Sequence, residues 1–80
     1  MAADYLPIAC ATHERLEFAV LRRQRLHLVW QSEDGRCQSS EHVLPVDVET
    51  REGAEWLTLQ HENGARERVR LDRILSLAEA

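Results

Sequence analysis

The apolar positions of the chain follow two periods, and the first of them is helical. Leu16, Ala19 and Val20 recur at helical spacing after Thr12, a residue type favoured at a helix N-cap. The pattern predicts one helix over residues 12–24. At about 100° per residue, these three apolar side chains form one side of that helix.

The second period is that of short β-strands. Two residue pairs, Asp34-Gly35 and Asn63-Gly64, predict tight hairpins with type I′ turns. Residues 41–53 contain Pro45 and several acids, and they predict a loop with at most a short irregular strand over 46–48. The strands are predicted at residues 26–30, 36–40, 55–60, 67–71 and 74–77.

A helix followed by five short strands, in a chain of 80 residues, predicts a single domain of the mainly β class over residues 1–80. The chain is too short for a sandwich. The expected fold is therefore a small, strongly bent, five-stranded antiparallel barrel with the N-terminal α-helix over one open end. Residues 5–9, with Pro7 among them, are a candidate for an additional edge segment.

Composition adds a cellular compartment. Hydrophobic residues make up 44% and charged residues 30% of the chain, which is typical of a globular protein. No window approaches the roughly 18 apolar residues that span a bilayer, and the N-terminus lacks a signal-peptide layout, so we expect a cytoplasmic protein. Cys10 and Cys37 do not form a CxxC pair, and we expect free thiols, with Cys10 buried as a small apolar residue.

Candidate catalytic chemistry is sparse. The four histidines lie in four different predicted elements, without HxxxH or HxH spacing. The sequence has no GxSxG motif, no P-loop and no GxGxxG, and it contains three glycines in all. A pairing of Cys10 with a distant histidine is the only candidate nucleophile arrangement. The sequence therefore predicts no enzyme, no metal site and no cofactor.

The net charge of −4 is unevenly distributed. The excess of acids lies in residues 1–20 and 41–60, which favours a basic or neutral-polar partner over direct nucleic-acid binding. On the predicted helix, Glu14, Glu17 and Leu21 fall opposite the apolar side, with His13 and Phe18 beside them. This side is either a solvated face or a binding surface for arginine or lysine side chains, and the sequence leaves both open.

Arginines form two groups. Arg22, Arg23 and Arg25, close to Trp30, are either an RNA site or charges that complement the negative end of the helix dipole, and the net charge favours the second reading. The three alternating arginines from Arg66 to Arg70 are expected on a solvated strand face with acidic partners across the sheet.

Five short motifs occur in order between residues 5 and 77: Tyr5-x-Pro7-Ile8-x-Cys10, Leu16-Glu17-x-Ala19, Asp34-Gly35, Glu55-Trp56-Leu57 and Arg70-Leu71-Asp72-x-Ile74. Together they resemble the Rof (YaeO) family of Rho-binding antiterminators. The resemblance implies a helix with a bent β-barrel similar to Sm-like RNA chaperones. It also implies a non-catalytic monomer that binds the N-terminal RNA-binding domain of transcription termination factor Rho and blocks its loading onto RNA.

The resemblance assigns candidate contact residues as well. The acidic helix positions of the family fall on Glu14 and Glu17, and His13 occupies a position that is aromatic in relatives. The stretch from residue 35 to residue 55 is longer and more acidic than the family pattern, so the resemblance assigns no contacts there, and Asp47 and Glu49 are secondary candidates. An alternative function is a small Sm-like RNA-binding module that uses the first arginine group. The partner-binding residues predicted for the inhibitor are His13, Glu14, Glu17, Phe18, Leu21, Asp47 and Glu49.

Overall fold

In the computed structural model, which describes residues 10–80, one helix is followed by five strands. These are α1 (Cys10–Arg22), β1 (Leu26–Gln31), β2 (Cys37–Arg51), β3 (Ala54–Gln60), β4 (Arg66–Arg70) and, after a 3-10 turn (Leu71–Arg73), β5 (Ile74–Glu79). The strands form one antiparallel sheet in the order β4-β3-β2-β1-β5. The mainly β class with an N-terminal helix is confirmed. The predicted edge segment over residues 5–9 lies outside the described residues.

The helix lies two residues closer to the N-terminus than predicted. Thr12 is inside α1 and does not cap it, because the helix already includes Cys10. At the other end Arg23 adopts a left-handed conformation, with φ of 53°. Its N–H donates to the Val20 carbonyl at 3.2 Å, and the following N–H donates to the Ala19 carbonyl at 2.9 Å. This pair of hydrogen bonds is a Schellman motif, which ends the helix.

The longest strand replaces the predicted loop. Residues 41–53 were expected to be irregular, but β2 continues through them to Arg51, so that prediction is wrong. β2 pairs with β1 in its first half and with β3 in its second half. The register shifts between Pro45 and Asp47, because a proline has no N–H to donate to the ladder. Pro45 is fully buried at this point. β2 is therefore shared between two strand partners.

All three hairpin turns use glycine, but their geometry differs from the prediction. Glu52 and Gly53 both have positive φ, at 54° and 77°, and form the two-residue type I′ turn between β2 and β3. The hairpins at Asp34-Gly35 and Asn63-Gly64 are confirmed. The type I′ assignment is wrong at both of them, because only the glycine of each pair has a positive φ. Both loops have three residues and end in a glycine bulge.

The core lies between α1 and one face of the sheet. Leu16 and Ala19 point inward from the helix, as the periodicity predicted. The strand order places β4 and β5 at opposite ends of the sheet, and closure into a barrel is not confirmed. Among residues 10–80, no helix is both long and apolar enough to cross a membrane. The buried cluster comprises Leu16, Ala19, Leu26, Leu28, Trp30, Val43, Leu57, Leu59, Val69 and Leu71.

Candidate interaction surface

The outer side of α1 combines two carboxylates with two large apolar side chains. Glu14 and Glu17 are exposed, and Phe18 and Leu21 are 54% and 78% exposed. These four residues, termed here the helix surface, line one shallow depression. Leucine and phenylalanine side chains at such exposure do not contribute to the core, and a neighbouring carboxylate pair suits a cationic partner. The arrangement predicted from helical periodicity is confirmed.

His13 connects this surface to the sheet. Its Nδ1 lies 3.1 Å from the Glu17 carboxylate, and its Nε2 lies 2.6 Å from the carboxylate of Glu55 on β3. An imidazole donates from both nitrogens only when protonated, and the ring then satisfies both carboxylates at once. The contact fixes the carboxylate of Glu17 beside the imidazole ring. His13 is therefore a positioning residue for the helix surface as well as a neighbour of it.

β2 brings a third acid to the helix surface. Glu17, Val20 and Leu21 of α1 line a groove together with Asp47 and Val48 of β2. Asp47 is exposed, whereas Val20 and Val48 are half-buried at the base of the groove. Acidic side chains therefore flank an apolar groove that begins at Leu21. The groove extends the helix surface onto the sheet.

The other acid predicted on this stretch has a different environment. The Glu49 carboxylate lies 3.8 Å from the guanidinium of Arg51 and 3.6 Å from that of Arg68. Its side chain is 33% exposed, and it does not line the groove. Two arginines thus offset its charge, so Glu49 contributes less to an acidic surface than Asp47 does.

The two arginine groups predicted from the sequence also have different surroundings. Arg22 places its guanidinium carbon 5.5 Å from the centre of the Phe18 ring, and Arg23 and Arg25 are exposed. On β4, Arg68 meets an acid across the sheet, as expected. The expectation of a solvated face is wrong at Arg70, which pairs at 2.7 Å with Asp72 while both side chains are nearly buried.

The remaining chemical groups are scattered. Within residues 10–80, no group of three or more His, Cys, Asp or Glu side chains lies close enough to hold a metal ion. Cys10 and Cys37 are free thiols, as expected, but both are exposed, so the burial predicted for Cys10 is wrong. Cys10 is exposed because it lies on the outer side of the first turn of α1.

In the β1–β2 hairpin, a hydrogen bond from the Ser32 hydroxyl, helped by the Arg36 backbone N–H, lowers the pKa of the Asp34 carboxyl.

Two features of the site have no local signature in the sequence. Glu55 and Val48 reach α1 only because β2 and β3 pack beneath it, and the strand that carries Val48 was expected to be a loop.

A scan against protein-family models finds no match for this chain, and a search of curated proteins finds no significant match. The surface itself, with its acids around exposed leucine and phenylalanine, is suited to binding a basic protein surface.

Proposed function

We propose that this protein inhibits Rho-dependent transcription termination. In this proposal it binds the N-terminal RNA-binding domain of Rho through the helix surface and blocks the loading of Rho onto RNA. It acts without catalysis, as a monomer, in the cytoplasm, and binds no RNA itself. The observation that carries the proposal is the grouping of Glu14, Glu17 and Asp47 around Leu21 and Phe18. The order of the motifs that resemble the Rof family supplies the identity of the partner.

The mechanism is competition for a basic surface. A cleft that receives RNA is lined by cationic side chains, and an acidic surface is attracted to the same charges. Exposed ion pairs contribute about 0–1 kcal/mol each, so charge alone does not give a stable complex. Leu21 and Phe18 supply the apolar contact that such an interface needs at its centre. Charge thus steers the association of the two proteins, and the contacts of Leu21 and Phe18 stabilise the complex.

An Sm-like barrel belongs to the same proposal. A long strand shared between two neighbours and a helix on the inner face both support it, since a strongly bent small sheet needs such a strand. The acidic side of α1 is then left facing solvent, where a partner reaches it without disturbing the core.

The direct test is reversal of the two helix carboxylates. Glu14→Arg with Glu17→Arg should abolish capture of Rho in a pull-down, because like charges across an interface cost several kcal/mol. The matched control is Glu41→Arg with Glu62→Arg, which changes the net charge equally at two exposed positions off the helix surface. The control should still capture Rho. Binding that survives in the folded helix variant would refute the proposal.

Two further measurements separate this proposal from its alternatives. Affinity for Rho should fall between low and moderate ionic strength, because salt screens exposed charges over about 8–10 Å. Calorimetry that shows no change would contradict it. In a gel shift with single-stranded RNA and no Rho, an RNA-binding module would bind RNA and lose it on substitution of Arg22, Arg23 and Arg25 by alanine. The proposed inhibitor should show no such binding.

A further inference from the structure

A cleft on another part of the molecule shares no residue with the helix surface. It lies between the end of β1 with the following turn and β4 with the 3-10 turn, and its volume is about 440 Å³. This volume is within the range of about 300–1,000 Å³ typical of small-molecule sites. Both tryptophans of the chain, Trp30 and Trp56, line it, together with Arg68, Arg70 and Arg73.

The three arginines differ in how far their charge is already met. Arg70 is held by Asp72 at 2.7 Å. Arg68 lies 3.6 Å from Glu49 and places its guanidinium 5.7 Å from the centre of the Trp56 ring. Arg73 has no carboxylate partner within residues 10–80, and its Nη1 donates only to the Ser32 carbonyl, at 3.3 Å. Arg73 therefore has donors and a positive charge available to a ligand.

The aromatic wall has an open donor as well. Trp30 is only 4% exposed, and its indole N–H has no hydrogen-bond partner within residues 10–80. Every fully buried side-chain nitrogen in that range has a hydrogen-bond partner. The unpartnered indole N–H of Trp30 is therefore not fully buried and reaches solvent. The indole N–H of Trp56 is instead used, at 3.4 Å, by the Arg51 carbonyl. A flat ring at this wall would stack on the guanidinium plane that Arg68 holds over Trp56, and would lie near one available N–H.

We infer that this cleft binds a nucleoside phosphate, with the base against the Trp56 and Arg68 pair and the phosphate on Arg73. Bases stack on tryptophan and on arginine planes, and guanidinium groups match phosphate oxygens in a fork of hydrogen bonds. Two acids, Glu33 and Glu67, also line the cleft, and Glu67 is 2.6 Å from the His61 ring. Their charge disfavours a chain of phosphates, so a single phosphate group is the expected anion.

The intrinsic fluorescence of the protein reports directly on this site, because both tryptophans line the cleft. Adenosine monophosphate should cause a saturable change in emission. The affinities for adenosine alone and for inorganic phosphate alone should each be at least about tenfold lower. Arg73→Ala should weaken adenosine monophosphate about tenfold and leave adenosine unchanged. The matched control, Arg25→Ala, removes an exposed arginine that does not line the cleft, and should bind as the wild type does.

Two outcomes would overturn the inference. They are the absence of a saturable change with adenosine monophosphate, and equal binding by the wild type and Arg73→Ala. Circular dichroism checks that the variant is folded, and Arg73→Lys should recover part of the affinity by restoring the charge. An oligoadenylate with and without a terminal phosphate identifies the source of the ligand. Weaker binding of both oligomers than of adenosine monophosphate assigns the site to free nucleotides, and binding of either oligomer as tightly as the free nucleotide contradicts this assignment.

Discussion

Two leucines on the same helix separate the part of α1 that holds the fold from the part proposed to bind Rho. Leu16 is completely buried in the core, whereas Leu21 is 78% exposed. We predict that Leu16→Ala strongly destabilises the protein and that Leu21→Ala does not. The comparison is well controlled, because the residue type, the substitution and the helix are the same.

The magnitudes follow from burial. Replacing a buried leucine by alanine costs about 2–5 kcal/mol, and we expect about 3 kcal/mol at Leu16. A chain of 80 residues has a total stability of about 4–12 kcal/mol, so this loss is a large fraction of it. In a domain of this size, about 3 kcal/mol lowers Tm by roughly 12–24 °C. Leu21→Ala should change stability by no more than about 0.5 kcal/mol, since alanine is also a good helix former.

Urea denaturation followed by circular dichroism measures both variants, and Rho capture by the Leu21→Ala variant measures the second function of the helix. We expect this variant to be as stable as the wild type and to capture Rho less well. Equal destabilisation by the two substitutions would refute the assignment of helix faces. Normal stability with unchanged capture would instead refute the apolar contact proposed at Leu21.

Three further predictions concern β2 and the turns. Asp47→Arg should weaken Rho binding more than Glu49→Arg does, measured by calorimetry, because only Asp47 lines the groove beside α1; equal losses would contradict this. Glu52→Asn should raise the free energy of unfolding by about 0.5–1 kcal/mol in urea, because asparagine adopts the left-handed conformation required there more readily than glutamate; a loss of stability would contradict it. Because hydrogen bonds lower the pKa of Asp34, its ionised form stabilises the fold above the ordinary aspartate pKa, and this contribution is lost as pH falls through the lowered value. Asp34→Asn should therefore be less stable than the wild type at neutral pH and equal to it in acid, and a difference that persists in acid would contradict the reasoning.

The parts of the fold that depend on local pattern were predictable. Helical periodicity separates Leu16 from Leu21, and the structure buries the first and exposes the second. The path of β2 was not predictable, because Pro45 and the acids that follow are typical of a loop. A strand tolerates a proline when the ladder shifts register around it, and this becomes visible only once both partner strands are in place.

The site divides along the same line. Glu14, Glu17, Phe18 and Leu21 lie within two turns of one helix, so the spacing alone brings them together. Asp47 joins them through the packing of α1 against β2. The contact of His13 with Glu55 likewise joins two elements, α1 and β3. The cleft lined by Trp30 and Trp56 is likewise assembled from β1, β3, β4 and the 3-10 turn. Contacts between distant parts of the chain have no local signature in a single sequence.

The central claim is tested most directly by competition on Rho. Fluorescence anisotropy of a labelled RNA bound to the N-terminal RNA-binding domain of Rho measures how much RNA remains bound as this protein is added. The wild type should release the RNA, and the protein carrying Glu14→Arg and Glu17→Arg should leave it bound. RNA that stays bound in the presence of excess wild type, or that is released equally by the double variant, would contradict the account.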